Sequence, residues 1–123
     1  MNKTIIRIAK KENLDYKIIN YANGVVAAEF EFPNYAEYSY YWSLFEKKKG
    51  LHVETFFHNF CIRVFDAMEY AEMIATQKRK IELSDLFCLA MREGKTADQA
   101  KEEQERFCVL HPEYKPAYDL IYA

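Results

Sequence analysis

The chain predicts an α+β fold: an antiparallel sheet, made of an N-terminal hairpin and strands near 51–65, is packed by two helices. An all-helical C-terminal subdomain follows. Three observations carry this reading. Twice an apolar, aromatic run stops at an Asx residue, with glutamate three positions later and then tyrosine: Phe30-Glu31-Phe32-Pro33-Asn34-Tyr35-Ala36-Glu37-Tyr38 and Ile62-Arg63-Val64-Phe65-Asp66-Ala67-Met68-Glu69-Tyr70. Asn34 and Asp66 are good N-caps, because a short side-chain oxygen accepts from a free amide of the first turn. Glu37 and Glu69 stand at N3, where a capping box reaches back to the cap amide. The second observation is Asn23-Gly24 between two strand-like runs, and the third is a helical pattern throughout the chain beyond Ile81.

Taken in order, residues 3–10 alternate well enough for a short first strand with Thr4, Ile6 and Ile8 on one face. Residues 16–21 and 25–32 form the hairpin, since Asn-Gly supplies the positive φ values of a tight turn. In its second arm Val26, Ala28, Phe30 and Phe32 face one way, and Val25, Ala27, Glu29 and Glu31 the other, which predicts a half-buried strand with a solvated carboxylate edge. A first helix runs from about Tyr35 to Lys49, with Tyr35, Tyr38, Tyr41, Trp42 and Phe45 as its aromatic face. Lys47, Lys48 and Lys49 suit the negative end of its dipole, and Gly50 suits a left-handed C′ position.

Residues 51–79 admit two readings. Val53, Phe57, Phe60, Val64, Met68, Ala71 and Ala75 keep a helical period, which allows one long helix from about 52 to 79. Against it, 51–65 is dense in Val, Thr, Phe, Ile and Cys, which favour extended structure, and Asp66 with Glu69 marks a helix start inside the supposed rod. Strands at about 51–57 and 60–65 followed by a helix at about 67–79 are the preferred reading. Further on, Ser84 caps a short helix ended by Gly94, and Thr96 caps another from about Ala97 to Leu110. In that helix Ala100, Phe107, Val109 and Leu110 point inward and Glu102, Glu103 and Glu105 outward. His111-Pro112 breaks it, and Pro116 to Tyr122 make a last short helix.

The 123 residues suit a single folding unit, with an α+β body over 1–81 and a helical subdomain over 82–123 packed on it. Charge follows the same division: residues 1–81 carry 12 Lys/Arg against 10 Asp/Glu, and residues 82–123 carry 5 against 9. Half of the residues are apolar and 16% aromatic, enough for a real core. No apolar run approaches the roughly 20 residues of a membrane helix. Met1-Asn2-Lys3-Thr4 opens without a signal peptide's apolar stretch, and Cys61, Cys88 and Cys108 lack CxxC spacing. The expectation is a cytoplasmic protein without a membrane partner.

No constellation in the chain points to chemistry. On strands, His52 and His58 would lie about 20 Å apart at ~3.3 Å per residue, too far to share an ion. Cys108 and His111, at i and i+3, are a conceivable thiol–imidazole pair, but Phe107 and Val109 flank the cysteine and favour a buried inert thiol. Glu29 with Glu31 and Glu102 to Glu105 read as solvated carboxylates. No serine sits in a nucleophile elbow, and three glycines leave no phosphate-binding loop. No catalytic residue, metal site or cofactor is expected. A thiol-dependent enzyme is the least supported function.

The stretch from Asn59 to Glu72 loosely resembles the third strand and second helix of RNA-recognition-motif domains. That resemblance implies RNA or single-stranded nucleic-acid binding through sheet aromatics, with Phe60 and Phe65 as the rings at hand. Asn59 stands where the family has glycine, Ile62 where it has a stacking aromatic, and Arg63 where it has an apolar residue. The leading expectation is instead a non-enzymatic domain that binds a protein partner or a second copy of itself. Ten tyrosines in 123 residues support it, because tyrosine joins an apolar ring to a wet hydroxyl. The candidate binding residues are Tyr40, opposite the aromatic core face of the first helix, and Tyr114, Tyr118 and Tyr122, one stripe at i, i+4 and i+8. A short terminal helix must dock to exist, either on its own domain or on a partner.

Overall fold

The computed structural model describes residues 1–123, the side chain of Ala22 excepted. Five helices and one four-stranded antiparallel sheet make an α+β fold with a helical C-terminal part. The elements are α1 (Lys3–Lys11), β1 (Lys17–Asn20), β2 (Val26–Glu31), α2 (Tyr35–Glu46), β3 (Leu51–Phe56), β4 (Cys61–Asp66), α3 (Ala67–Arg92), α4 (Ala97–Leu110) and α5 (Lys115–Ile121). The chain divides into two compact units, Met1–Met73 and Ile74–Ala123. The division falls inside α3. No helix among the described residues is long and apolar enough to cross a membrane.

The strand order is β1-β2-β4-β3, so the latest strand in sequence lies between β2 and β3 and is buried on both faces. The hairpin forms as expected: Lys17 pairs with Glu29 and Asn20 with Val26, while Asn23 and Gly24 take φ of 69° and 73° at the turn. Residues 51–65 are two strands, not part of a rod, and Val53 pairs with Val64. One face of the sheet presents Ala28, Phe30, Ile62 and Val64. Ile5, Ile8 and Ala9 of α1 and Tyr38 and Phe45 of α2 close over it.

The first strand of the sequence reading is a helix. Ile5 and Ala9, not Ile6, are buried, at helical spacing with Ile8, and the Asn2 side chain accepts from the Thr4 amide at 2.8 Å. An N-cap and a core to bury against override the β preference of the isoleucines. The second face of the sheet also departs from the alternation reading. Val25 and Ala27 are buried there with Phe65 and Met73, under the first turns of α3. Glu29 is largely covered and bonded to Arg63. So the two helices on the closed face are α1 and α2, while α3 starts on the other.

α3 runs through Ser84 without interruption. One serine without glycine or proline beside it does not stop a helix, since its own propensity cost is a fraction of a kcal/mol. Thr96 does cap α4, in a complete box: Gln99 N–H donates to Thr96 Oγ1 at 3.2 Å, and Thr96 N–H to Gln99 Oε1 at 3.0 Å. Asn34 accepts from the Glu37 amide at 2.9 Å. Asp66 accepts from the Met68 and Glu69 amides at 3.0 and 3.1 Å and from Asn2 Nδ2 at 2.8 Å.

In the second unit Leu83, Cys108 and Ala117 are buried among Phe107, Tyr114, Tyr118 and Ile121. Gln104 is buried as well, its Nε2 donating to the Leu83 carbonyl at 2.7 Å. Val109 and Leu110, expected inward, are exposed. The inward face of α4 is Ala100, Gln104 and Cys108, because each is one turn from the next, and this sets the other two apolar residues aside.

The hydrogen bond from the Glu69 amide outweighs burial, which pushes the Asp66 carboxyl up, and with the bonds from Asn2 and the Met68 amide holds it below its ordinary range. Its stabilisation is therefore complete above the ordinary carboxylate pKa of about 4, and is lost as pH falls through the lowered folded value. Asp66→Ala is expected to lower the unfolding free energy by roughly 1–2 kcal/mol at neutral pH. Denaturant titrations should show the gap between variant and parent closing as the solution becomes strongly acidic.

Candidate functional site

At one end of the first unit the β3–β4 connection, Phe57-His58-Asn59-Phe60, meets the start of α2. Phe60 takes φ +52°, a left-handed conformation that costs a bulky residue on the order of 1–3 kcal/mol. Two features hold it there. Its carbonyl accepts from the Phe32 amide at 2.9 Å, extending the β2–β4 ladder beyond Glu31 and Cys61. Its ring also packs against Tyr38, at 5.9 Å between centroids. This turn sends Phe57 outward, where it is 65% exposed. Tyr35, 53% exposed in the first turn of α2, meets Phe57 edge-on at 5.9 Å, and Phe57 meets Phe60 edge-on at 6.1 Å. The result is an aromatic cap: two open rings, Tyr35 and Phe57, seated on the buried Tyr38 and on Phe60.

Tyr40 is 58% exposed and touches Tyr41 edge-on at 4.9 Å. It lies on the far side of α2 from the buried Tyr38 and Phe45, as expected, and does not join the cap. The other three candidate tyrosines dock on their own unit. Tyr114 crosses Phe107 edge-on at 4.9 Å and its hydroxyl donates to Glu82. The Tyr118 hydroxyl donates to Glu105 at 2.7 Å, and that of Tyr122 to Gln104, with Lys101 Nζ 4.6 Å above the Tyr122 ring. Burial and then Glu105 push the Tyr118 hydroxyl up to about 12, so it remains a donor at any ordinary pH. Beside these rings α4 and α5 form a groove of about 480 Å³, lined by Glu105, Cys108, Val109, Pro112, Lys115 and Tyr118.

The open part of the sheet's second face centres on Arg63, opposite Glu29 on β2 and Glu54 on β3. Its Nε donates to Glu29 at 2.9 Å and its Nη1 to the Tyr21 hydroxyl at 2.8 Å, and its guanidinium lies 4.9 Å above Phe56. The two rings that the RNA-recognition resemblance would offer to bases are engaged within the protein. Phe65 is fully buried beneath Tyr70 and Met73, and Phe60 belongs to the cap on the other side of the sheet.

Candidate chemistry is equally dispersed. His52 stacks on Tyr70 at 3.6 Å, and no group of three or more metal-ligating side chains lies together among the described residues. Burial pushes the Cys108 thiol up, and His111 packs on Phe107 at 4.5 Å. Burial and the nearby Glu29 push Cys61 up to about 11. A raised thiol is the reverse of what a nucleophile needs. Comparisons with protein families, with curated proteins and with solved structures find no match to this chain.

Phe57 was missed in the sequence because it extends an alternating strand pattern, whereas β3 ends at Phe56 and Phe57 opens the turn that Phe60 closes at positive φ. Phe57→Ala is expected to cost less than about 1 kcal/mol of stability, against roughly 3–5 kcal/mol for Phe65→Ala, by denaturant titration. Cys88 is exposed while Cys61 and Cys108 are buried. In dilute solution, one thiol of the three should therefore react promptly with an aromatic disulfide reagent in the folded protein, with the other two appearing on unfolding.

Proposed function

We propose that this chain is a non-catalytic protein-binding module whose partner contact is the aromatic cap of Tyr35 and Phe57. The observation that carries the reading is the pair of large rings open to solvent with centroids 5.9 Å apart, Phe57 on the β3–β4 turn and Tyr35 on the first turn of α2. Exposed aromatic anchors on a fixed support are what binding hot spots consist of. Tyr40 offers a further exposed ring on α2, whereas the hydroxyls of Tyr114, Tyr118 and Tyr122 are already engaged by α3 and α4. A nucleic-acid partner finds less support. The cations of this sheet face, Arg63 and Lys17, are paired with Glu29 and Glu31, and Glu54 on the same face would repel phosphate.

A photo-reactive amino acid placed at Phe57 and activated in the native host is expected to yield one cross-linked protein of defined mass. Tyr35→Asp should abolish that product while leaving the unfolding transition in place. The same probe at Lys17, on β1, should give none. No specific product at Phe57, or one indifferent to Tyr35→Asp, overturns the proposal.

A further inference from the structure

α3 is apolar on two opposite sides. Thr76, Leu83 and Ala90, spaced by seven, are its buried residues within the second unit. Ile74, Ile81 and Cys88, also spaced by seven, are exposed, Ile81 at 63% and Ile74 at 47%. The two series are offset by two residues, about 200° around a helix of 3.6 residues per turn, so they lie back to back. A helix apolar on both sides calls for cover on both. The second unit covers one.

The charges on the open side indicate what covers the other. Lys78 lies one turn from Ile74, between it and Ile81, and Asp85 lies likewise between Ile81 and Cys88. Neither belongs to an ion pair among the described residues. Two copies of this helix laid antiparallel about the midpoint of Ile81 and Glu82 bring Lys78 of each opposite Asp85 of the other. The two Ile81 side chains then lie about one residue's rise, ~1.5 Å, apart along the axis, and Ile74 lies as close to Cys88 of the other copy. That is the self-complementarity of a two-fold interface, in which each contact occurs twice. A parallel arrangement instead sets lysine on lysine and aspartate on aspartate.

We infer that the Ile74–Ile81–Cys88 face of α3 is a self-association surface on which a second copy of this chain packs antiparallel. The surface is separate from the aromatic cap, and neither reading depends on the other.

Sedimentation of the full chain over a wide concentration range is expected to show a monomer–dimer equilibrium. Ile81→Glu should leave only monomer, with its unfolding midpoint in dilute solution unchanged because the side chain is exposed. Lys78→Glu should weaken the dimer roughly tenfold, since two exposed pairs become repulsive, and Lys78→Glu with Asp85→Lys should restore it. Under mild oxidation Ile74→Cys should cross-link to Cys88 of the other copy, whereas the unaltered chain should form no Cys88–Cys88 bridge. A parent chain that stays monomeric, a dimer indifferent to Ile81→Glu, or ready Cys88–Cys88 bridging would each overturn the inference.

Discussion

One carboxylate stands where four elements meet. Asp66 is the last residue of the central strand β4 and pairs with Leu51, the first residue of β3. The helix α3 begins at the next residue, with no loop between, and Asp66 caps it through the Met68 and Glu69 amides. The same side chain accepts from Asn2, whose own oxygen caps α1. The Ala67 amide, the first of α3, donates to the carbonyl of Gly50 at the head of β3. Strand direction, helix direction and the seat of the N-terminal helix are thus set at one junction. A cap here does more than satisfy free amides. It fixes the side of the sheet on which α3 departs, and so which face remains open.

The two faces of the sheet accordingly differ in kind. With α1 and α2 on one side, Phe30, Phe45, Ile62 and Val64 are sealed and supply the main apolar burial. On the other side α3 covers only Val25, Ala27 and Phe65 before it leaves the first unit. The next row across the strands is Glu29, Arg63 and Glu54, and it falls where cover is partial. A charge there must bring its own partners, because desolvation without pairing costs several kcal/mol. Glu29, the Tyr21 hydroxyl and the Phe56 ring supply them. Arg63 and Glu29 are thus an internal structural pair at the end of a core.

Local signals were legible wherever neighbours in sequence complete the physics. Asn23-Gly24, the Asn34, Asp66 and Thr96 caps and the break at His111-Pro112 each act within four residues, and each lies where the sequence places it. The preference for strands over a rod at 51–65 rested on β-branched and aromatic density, and the β3–β4 pairing follows it. Failures came where a distant partner decides. Ile5 is buried and Ile6 is not because α1 meets the sheet, which alternation within residues 3–10 cannot report. Ser84 resembled a cap only while the helices on either side were taken as separate. The tyrosine stripe at 114, 118 and 122 was visible as a period, but its acceptors, Glu82, Glu105 and Gln104, lie 13 to 32 residues away. Phe57 was invisible as a surface residue for the reason given by its neighbour Phe60.

That neighbour bears on what the aromatic cap offers. A phenylalanine at positive φ is unfavourable by itself, and a loop free to relax would return Phe60 to the extended region. The loop is not free: the Phe32 amide holds the Phe60 carbonyl at 2.9 Å, and Tyr38, itself buried, holds its ring. The outward position of Phe57 is therefore imposed by the ladder and the core, and Tyr35 is fixed beside it by the first turn of a helix capped by Asn34. A backbone fixed in this way has little freedom left to lose when a surface closes over it. Ordering of loops and side chains is one of the main costs of association, on the order of 0.5–1.5 kcal/mol for each flexible side chain. On the proposed binding reading, a small cap would need fewer contacts than a mobile loop of the same composition, and the ladder and core that hold Phe60 against its strain maintain that condition.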